Sequence, residues 1–292
     1  MILLLGGRGE LGRAIAARAD ANSVPLAALG RDEADVTNPK TLALAIARIR
    51  PSVIVNAAAV TDVEKAEKQP AAAQRVNALG ATVVATAAKR AGIPLIHMSC
   101  GSVFDGAKPG LYFETDKIGP INAYGRSKAK GEEGVRNAHR QHLIIRSSWV
   151  YGGTGNGFLQ RVLSLAREKD RFEVPAGRHG SPTAIDDLAK AILAAAKAAV
   201  AGDVRWGTYH FAASGETSLQ DFAVAIVALQ ASFTGRVPMV VEATANGGAP
   251  QPANVALDPG KFGSAFRFRA EDWRLSLEKV VKQIFAAEKA GV

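Results

Sequence analysis

The first thirteen residues, Met-Ile-Leu-Leu-Leu-Gly-Gly-Arg-Gly-Glu-Leu-Gly-Arg, constrain the fold of this chain more than any other stretch. The apolar run at the start reads as a buried parallel strand. Gly6, Gly9 and Gly12 then recur at three-residue spacing before a helical pattern opens at Ala14, Ile15, Ala16 and Ala17. A strand that turns through glycines into a helix lets the backbone approach a pyrophosphate closely, and the free N–H groups and positive dipole end of the helix stabilise its charge. Glycine clusters also make ordinary turns, but this one has both flanks of a dinucleotide site. Gly6, Arg8, Gly9, Glu10, Leu11 and Gly12 are its expected cofactor contacts.

The rest of the chain follows the rhythm set there. A second apolar strand at 24–29 ends in Gly30-Arg31-Asp32, roughly 20 residues past the glycine turn, where an acid holds the ribose hydroxyls of NAD or an arginine accepts the 2′-phosphate of NADP. Arg31 favours NADP(H), and Asp32 leaves NAD(H) open; Asp35 and Val36 complete the cofactor contacts on this side. A helix at 39–50 leads to a third strand at 52–56, which runs into Ala57, Ala58 and Ala59, small enough for close approach to the cofactor. A long helix at 70–90, a strand at 93–98 ending in Ser99-Cys100-Gly101-Ser102, a helix at 122–138 and a strand at 143–147 continue the alternation. Such alternation predicts an α/β fold with a doubly wound, Rossmann-like parallel sheet and right-handed crossovers. Residues 1–150 are expected to form the dinucleotide-binding domain, and 151–292 a smaller substrate-binding region, with parts of 171–212 returning to the first. Within the second part, helices are expected at 158–168, 183–199, 219–231 and from about 270, with strands at 172–174, 209–212 and 237–242 and a loop at 247–252.

Composition narrows the function. With 48% hydrophobic and 22% charged residues in 292, the chain is globular. The net charge of +9 comes from Lys and Arg scattered along the sequence rather than gathered in a stripe with aromatics, which excludes nucleic acid as the expected partner and points to small anions. Cys100, the single cysteine, rules out an internal disulfide framework and fits a reducing compartment. No apolar run is long enough to cross a bilayer, and the first strand lacks the flanks of a signal peptide, so the expected location is the cytoplasm, away from membranes. No Cys/His spacing suggests a metal.

Tyr124 and Lys128 lie four apart on the 122–138 helix, so both side chains project from one face. A tyrosine with a pKa of about 10 is a poor acid or base at neutral pH. A nearby ammonium and an oxidised nicotinamide are expected to pull that value down, and Lys128 can also hold the nicotinamide ribose. The same spacing arises by chance as a packed ring and a solvated amine. Its place after a strand ending in Ser99-Cys100, in a chain that opens with a glycine turn, sets this pair apart. His97 and His210, inside apolar strands, read as core histidines.

These motifs resemble the extended short-chain dehydrogenase/reductases and, among them, the dTDP-4-dehydrorhamnose reductase family. The resemblance spans nearly the whole chain: Gly6 to Gly12, Asn56 to Glu67, Ser99-Cys-Gly-Ser-Val-Phe-Asp-Gly106, Pro120 to Lys128, Arg146-Ser-Ser-Trp-Val-Tyr151, Gly180-Ser-Pro-Thr183 and Tyr209 to Gly215. It implies that NAD(P)H passes hydride to C4 of a nucleotide-linked keto-sugar while Tyr124 supplies the proton. By the same resemblance Thr61, Val63, Ser102 and Trp149 contact the sugar, although a tryptophan after a strand also serves as core. A homodimer is the expected assembly. Two departures stand out. Cys100 replaces a threonine or serine, with Gly101-Ser102 in place of an Asp-Tyr pair, so a weakly donating thiol sits where a hydroxyl orients the carbonyl. Ser102 is the expected substitute, because Ser99 in a straight strand points to the opposite face. Near the C-terminus Pro250-Gln251-Pro252 stands in place of an Arg-Arg-Pro stretch. An NADP-binding regulatory or scaffold subunit is the alternative function: it needs the glycine turn but no proton donor. Intact Tyr124 and Lys128 argue for the enzyme, Cys100 for the regulator.

Overall fold

A computed structural model describes residues 1–244 and 247–290. In chain order the elements of the first half are β1 (Ile2–Leu5), α1 (Glu10–Ala21), β2 (Leu26–Leu29), α2 (Pro39–Ile49), β3 (Val53–Asn56), α3 (Val63–Lys68), α4 (Pro70–Ala73), α5 (Ala81–Ala91), β4 (Leu95–Cys100), α6 (Ala123–Ala138) and β5 (His142–Ser147). There follow β6 (Val150–Tyr151), α7 (Phe158–Glu168), β7 (Arg171–Pro175), β8 (His179–Gly180), β9 (Thr183–Ala184), α8 (Ile185–Ala201), β10 (Gly207–His210), β11 (Thr217–Ser218), α9 (Leu219–Thr234), β12 (Met239–Ala243), α10 (Gly260–Phe266) and α11 (Trp273–Ala290).

Six parallel strands form one sheet in the order β10-β5-β4-β3-β1-β2, the doubly wound arrangement expected from the alternating sequence. Strand side chains alternate between its faces. Ile2, Leu4, Val55, Ile96 and Ile145 pack against Ile15 of α1 and Leu188 and Ile192 of α8. On the other face Leu3, Leu5, Ile54 and Ile144 meet Leu42 of α2, Val84 and Ala88 of α5 and Val135 of α6. A separate apolar cluster joins α7, α9 and α11 through Leu159, Phe222, Ile226, Leu277 and Phe285.

Several expectations shift. The helix expected at 70–90 is interrupted by a wide turn over Gln74–Gly80 that carries an extra residue per hydrogen-bonded loop. There Asn77 bonds both backbone groups of Val60 and the Ser127 hydroxyl, tying the segment after β3 to α6. The strand expected at 209–212 ends at His210, where its pairing with β5 stops. Thr183 and Ala184 pair with β6, so α8 starts two residues late. Helices α3 and α10 were not expected: each is short, and α3 owes its start to the Asp62 side chain accepting from Lys65 N rather than to a long apolar stripe.

Beneath the sheet's carboxyl edge lies a buried ionic cluster. The Glu132 carboxylate on α6 accepts from Arg146 Nε at 2.8 Å and Nη2 at 2.7 Å, from Ser99 Oγ at 2.6 Å, and from Arg136. Burial pushes its pKa up, but the Arg146 guanidinium and the two further donors outweigh that and hold it at about 2. His97 and His210 are core residues, both held neutral by burial with pKa values near about 3.

Glu132→Gln leaves Arg146 buried with its charge unmatched, which is expected to cost about 3–5 kcal/mol near neutral pH. The native pKa lies below the unfolded carboxylate value of about 4.3, so this contribution is present above that value and is lost as pH falls toward about 2. Urea unfolding of both proteins should therefore show a gap that closes in acid. A gap constant with pH would assign the stabilisation to packing instead.

Candidate active site

A cavity of about 600 Å³ opens along the carboxyl ends of the strands. One wall is the glycine turn. Gly6 has φ 81°, and a Cβ there would lie 2.7 Å from Ala58 N, while a Cβ on Gly12 would lie 2.2 Å from the Gly6 carbonyl. Any side chain would thus push the turn off the neighbouring backbone. Gly9 is different: it is the N-cap of α1, offers no side-chain cap, and its nearest contact for an added Cβ is the Gly6 carbonyl at 3.3 Å. The first turn of α1 therefore presents uncapped N–H groups to the cavity, which fits a diphosphate. Glu10 also lines it, with Oε1 buried and without a partner, and burial raises its pKa. A carboxyl held toward its neutral form repels a phosphate less. Ala57 and Ala59 continue this wall, and their size leaves room for a flat ring.

Across the cavity stands α6. Asn122 caps it by accepting from Gly125 N at 2.7 Å, and Glu67 accepts from Ala123 N. A Cβ at Gly125 would come within 2.1 Å of the Ser102 carbonyl, so the helix can sit directly on the turn after β4. This seating brings Tyr124, Lys128, Cys100 and Ser102 into one cavity. Lys128 is buried and its Nζ donates to the Met98 carbonyl at 2.6 Å; burial lowers its pKa. In the protein alone, burial and the Cys100 sulfur beside it hold the Tyr124 phenol well above the ordinary tyrosine range, against the pull expected from the lysine and an oxidised nicotinamide. Burial likewise raises the Cys100 thiol. Both groups stand protonated.

Thr61, Val63 and Trp149 line the same cavity. Trp149 adopts φ 41°, a left-handed conformation uncommon outside glycine, and lies where a Cβ on Gly180 would be 2.5 Å from its ring. Gly180 thus makes the space for the indole. Other expected contacts lie outside the lining. Gly6 opens the glycine turn with its back to Ala58, Val36 is buried under Gly80, and Asp35 accepts from Thr37 N at the approach to α2. Arg31 is exposed and paired with Asp35 at 3.4 Å, while Arg8 reaches past Gly30 to Asp32 at 2.7 Å.

Sequence reasoning missed four polar lining residues: Ser147, Ser148, Arg161 and Arg178. The two serines stand inside the Arg146-Ser-Ser-Trp149 motif, where attention fell on the tryptophan. The arginines carry no local motif.

A parallel sheet whose carboxyl edge holds a glycine cradle and a tyrosine–lysine pair defines a Rossmann-like reductase. A family model described as "RmlD substrate binding domain" matches residues 1–285, and the chain belongs to that family. Among curated relatives, the dTDP-4-dehydrorhamnose reductase of Sinorhizobium fredii is 37% identical over 286 residues, covering 96% of each chain. Among solved structures, a dTDP-4-dehydrorhamnose reductase from Clostridium acetobutylicum superposes with a TM-score of 0.89 at 29% identity, covering 97% of this chain and 99% of the other. One from Bacillus anthracis, in complex with NADP, gives 0.88 at 29% identity, covering 97% and 98%.

Gly9→Ala tests the cradle with little disturbance of the fold, since the one close contact of the new methyl is the Gly6 carbonyl at 3.3 Å, which needs to give by only a few tenths of an ångström. NADPH affinity by fluorescence titration should fall by about tenfold or more, equivalent to roughly 1.4 kcal/mol, with the melting temperature nearly unchanged. Undiminished affinity would place the diphosphate elsewhere.

Proposed function

We propose that this chain reduces the C4 ketone of dTDP-4-dehydrorhamnose or a closely related nucleotide-linked 4-keto-sugar with NADPH. The observation that carries the reading is that one cavity holds both the glycine cradle and the Tyr124–Lys128 pair. The names and the NADP complex of its relatives support the same reading.

NADPH, when bound, supplies a hydride to the carbonyl carbon. The glycine turn and the first turn of α1 would hold its diphosphate; Arg8 in that turn and Arg31 just past β2 would give the 2′-phosphate two guanidinium partners, which favours NADPH over NADH. Tyr124 donates its proton to the ketone oxygen as the C–O double bond becomes a single bond, and it recovers a proton from water. Reduction needs the neutral phenol at the start, and burial keeps Tyr124 in that form. Lys128, anchored on the Met98 carbonyl, fixes the nicotinamide ribose and the helix turn that carries Tyr124. Thr61, Val63, Ser102 and Trp149 form the wall against the sugar. Residues 1–150 with α8 and β10 make the cofactor half, and the remainder of 151–292 covers the substrate. A cytoplasmic homodimer is the setting we propose. Among the described residues no helix is long and apolar enough to cross a membrane.

A second reading, an NADP-binding regulatory subunit, is favoured by the thiol at position 100. It expects NADPH binding without turnover. The deciding measurement is NADPH oxidation with dTDP-4-dehydrorhamnose, alongside Tyr124→Phe. The variant should bind NADPH as the parent does and turn over roughly 100-fold more slowly, as loss of a general acid predicts. Full activity in Tyr124→Phe would refute the proton-donor role, and absence of turnover in the parent would favour the regulator.

A further inference from the structure

We propose that Ser147 supplies the hydrogen bond to the ketone oxygen that the Cys100 thiol cannot, a step that rests on the reductase reading above. Cys100 is the last residue of β4 and Ser147 the last of β5, and the two are register partners in parallel strands. Register partners on neighbouring strands present side chains to the same face of a sheet. On that face the Cys100 sulfur lies against the Tyr124 phenol. Ser147 thus shares a sheet face with the Cys100 thiol that meets the proton donor, and it lines the same cavity.

Its hydroxyl is also free. Ser147 is 4% exposed, and its Oγ has no hydrogen-bond partner. A buried hydroxyl without a partner is unfavourable, and one that faces a cavity is relieved when a ligand oxygen accepts from it. The other serines nearby serve less well. Ser99 is one residue off register, and its Oγ already donates to Glu132 at 2.6 Å. Ser102 lies beyond the end of β4 in the turn beneath Gly125 and is partly exposed. Ser148 also lines the cavity with an unpartnered Oγ, but it follows the end of β5, has no register partner on β4 and stands just before the left-handed bend at Trp149. The structure therefore moves the substitute donor from Ser102, where sequence reasoning put it, to the neighbouring strand. Ser147 keeps its own proton throughout: it donates a hydrogen bond to the oxygen as negative charge develops there, and the proton that stays on the sugar comes from Tyr124.

The test combines turnover with binding. Ser147→Ala should melt within a few degrees of the parent, bind NADPH equally well, and lower kcat by about 100-fold, the effect of removing one such donor. Cys100→Thr in the Ser147→Ala background should recover about tenfold or more, because it restores a hydroxyl on the same face. Calorimetric titration of the NADP-loaded protein with dTDP-L-rhamnose should show roughly tenfold weaker binding in Ser147→Ala. An unchanged kcat, a loss confined to NADPH affinity, no recovery by Cys100→Thr, or a larger loss in Ser102→Ala would each overturn the assignment. A parent protein that binds dTDP-L-rhamnose without turning over the keto-sugar would sink the reductase reading alone, and the Ser147 contact would then stand or fall on the same titration. A parent that binds no nucleotide sugar overturns both.

Discussion

The Glu132 carboxylate on α6 holds the site in place. It bonds Ser99 at the end of β4 and Arg146 in β5, and Arg146 in turn reaches His210 of β10 at 3.3 Å. One buried charge pair therefore fixes a helix across three strands. Such a pair is weak evidence for stability, since its desolvation offsets much of its attraction. Its geometric effect is larger: with Glu132 fixed, Lys128 one turn earlier meets the Met98 carbonyl, and Tyr124 a further turn back faces Cys100. The approach is close enough to need Gly125 over the Ser102 carbonyl. The reactive end of α6 is thus set by a contact two turns further along the same helix face.

What could be read from the sequence was whatever depends on short separations. The strand–glycine–helix run and the four-residue spacing of Tyr124 and Lys128 are local, and the structure brings both to one cavity. The alternation of strands and helices likewise fixed the sheet. Features set by contacts between distant segments were hidden. The register of β4 against β5, which pairs Cys100 with Ser147, leaves no mark in either strand alone. The wide turn at Gln74–Gly80 looks like any alanine-rich helix until Asn77 is seen bridging Val60 and Ser127. The raised pKa of Tyr124 was hidden for the same reason, because the lysine's sequence spacing is visible and the burial and Cys100 contact that raise it are not.

The cavity's electrostatics agree with the reading from composition. Its ionisable lining, thiol and phenol aside, consists of Lys128, Arg161 and Arg178 against Glu10, whose carboxyl burial shifts toward the neutral form. Three cationic side chains against one carboxyl make this a hollow that attracts anions. The two arginines come from α7 and from the segment before β8. Arg178 donates to the Pro252 carbonyl at 3.2 Å, and the Arg161 guanidinium lies 6.0 Å from the Phe158 ring. Leu219 N bonds the Arg178 carbonyl at 2.9 Å, Phe222 follows one turn along α9, and the Phe158 ring stacks on Phe222 at 5.8 Å. Arg161 therefore stands beside this aromatic pair, and the Arg178 backbone is tied to the start of the helix that carries Phe222.

That arrangement bears on the other departure of this chain, the Pro250-Gln251-Pro252 segment in place of arginines. Gln251 and Pro252 line the cavity beside Arg178, and Asn122, the cap of α6, donates to the Pro250 carbonyl at 2.8 Å. The segment that lacks guanidinium groups is thus pinned to the catalytic helix, while cationic side chains reach the cavity from the segment before β8 and from α7. A doubly charged diphosphate requires cations near it but is indifferent to which strand or helix carries them, because the interaction depends on charge and distance. The same logic applies to Cys100 and Ser147: the sheet offers two adjacent positions on one face, and a donor at either can reach an oxygen held by Tyr124. In the proposed reading, both departures alter which element supplies a group while the chemistry inside the cavity stays the same.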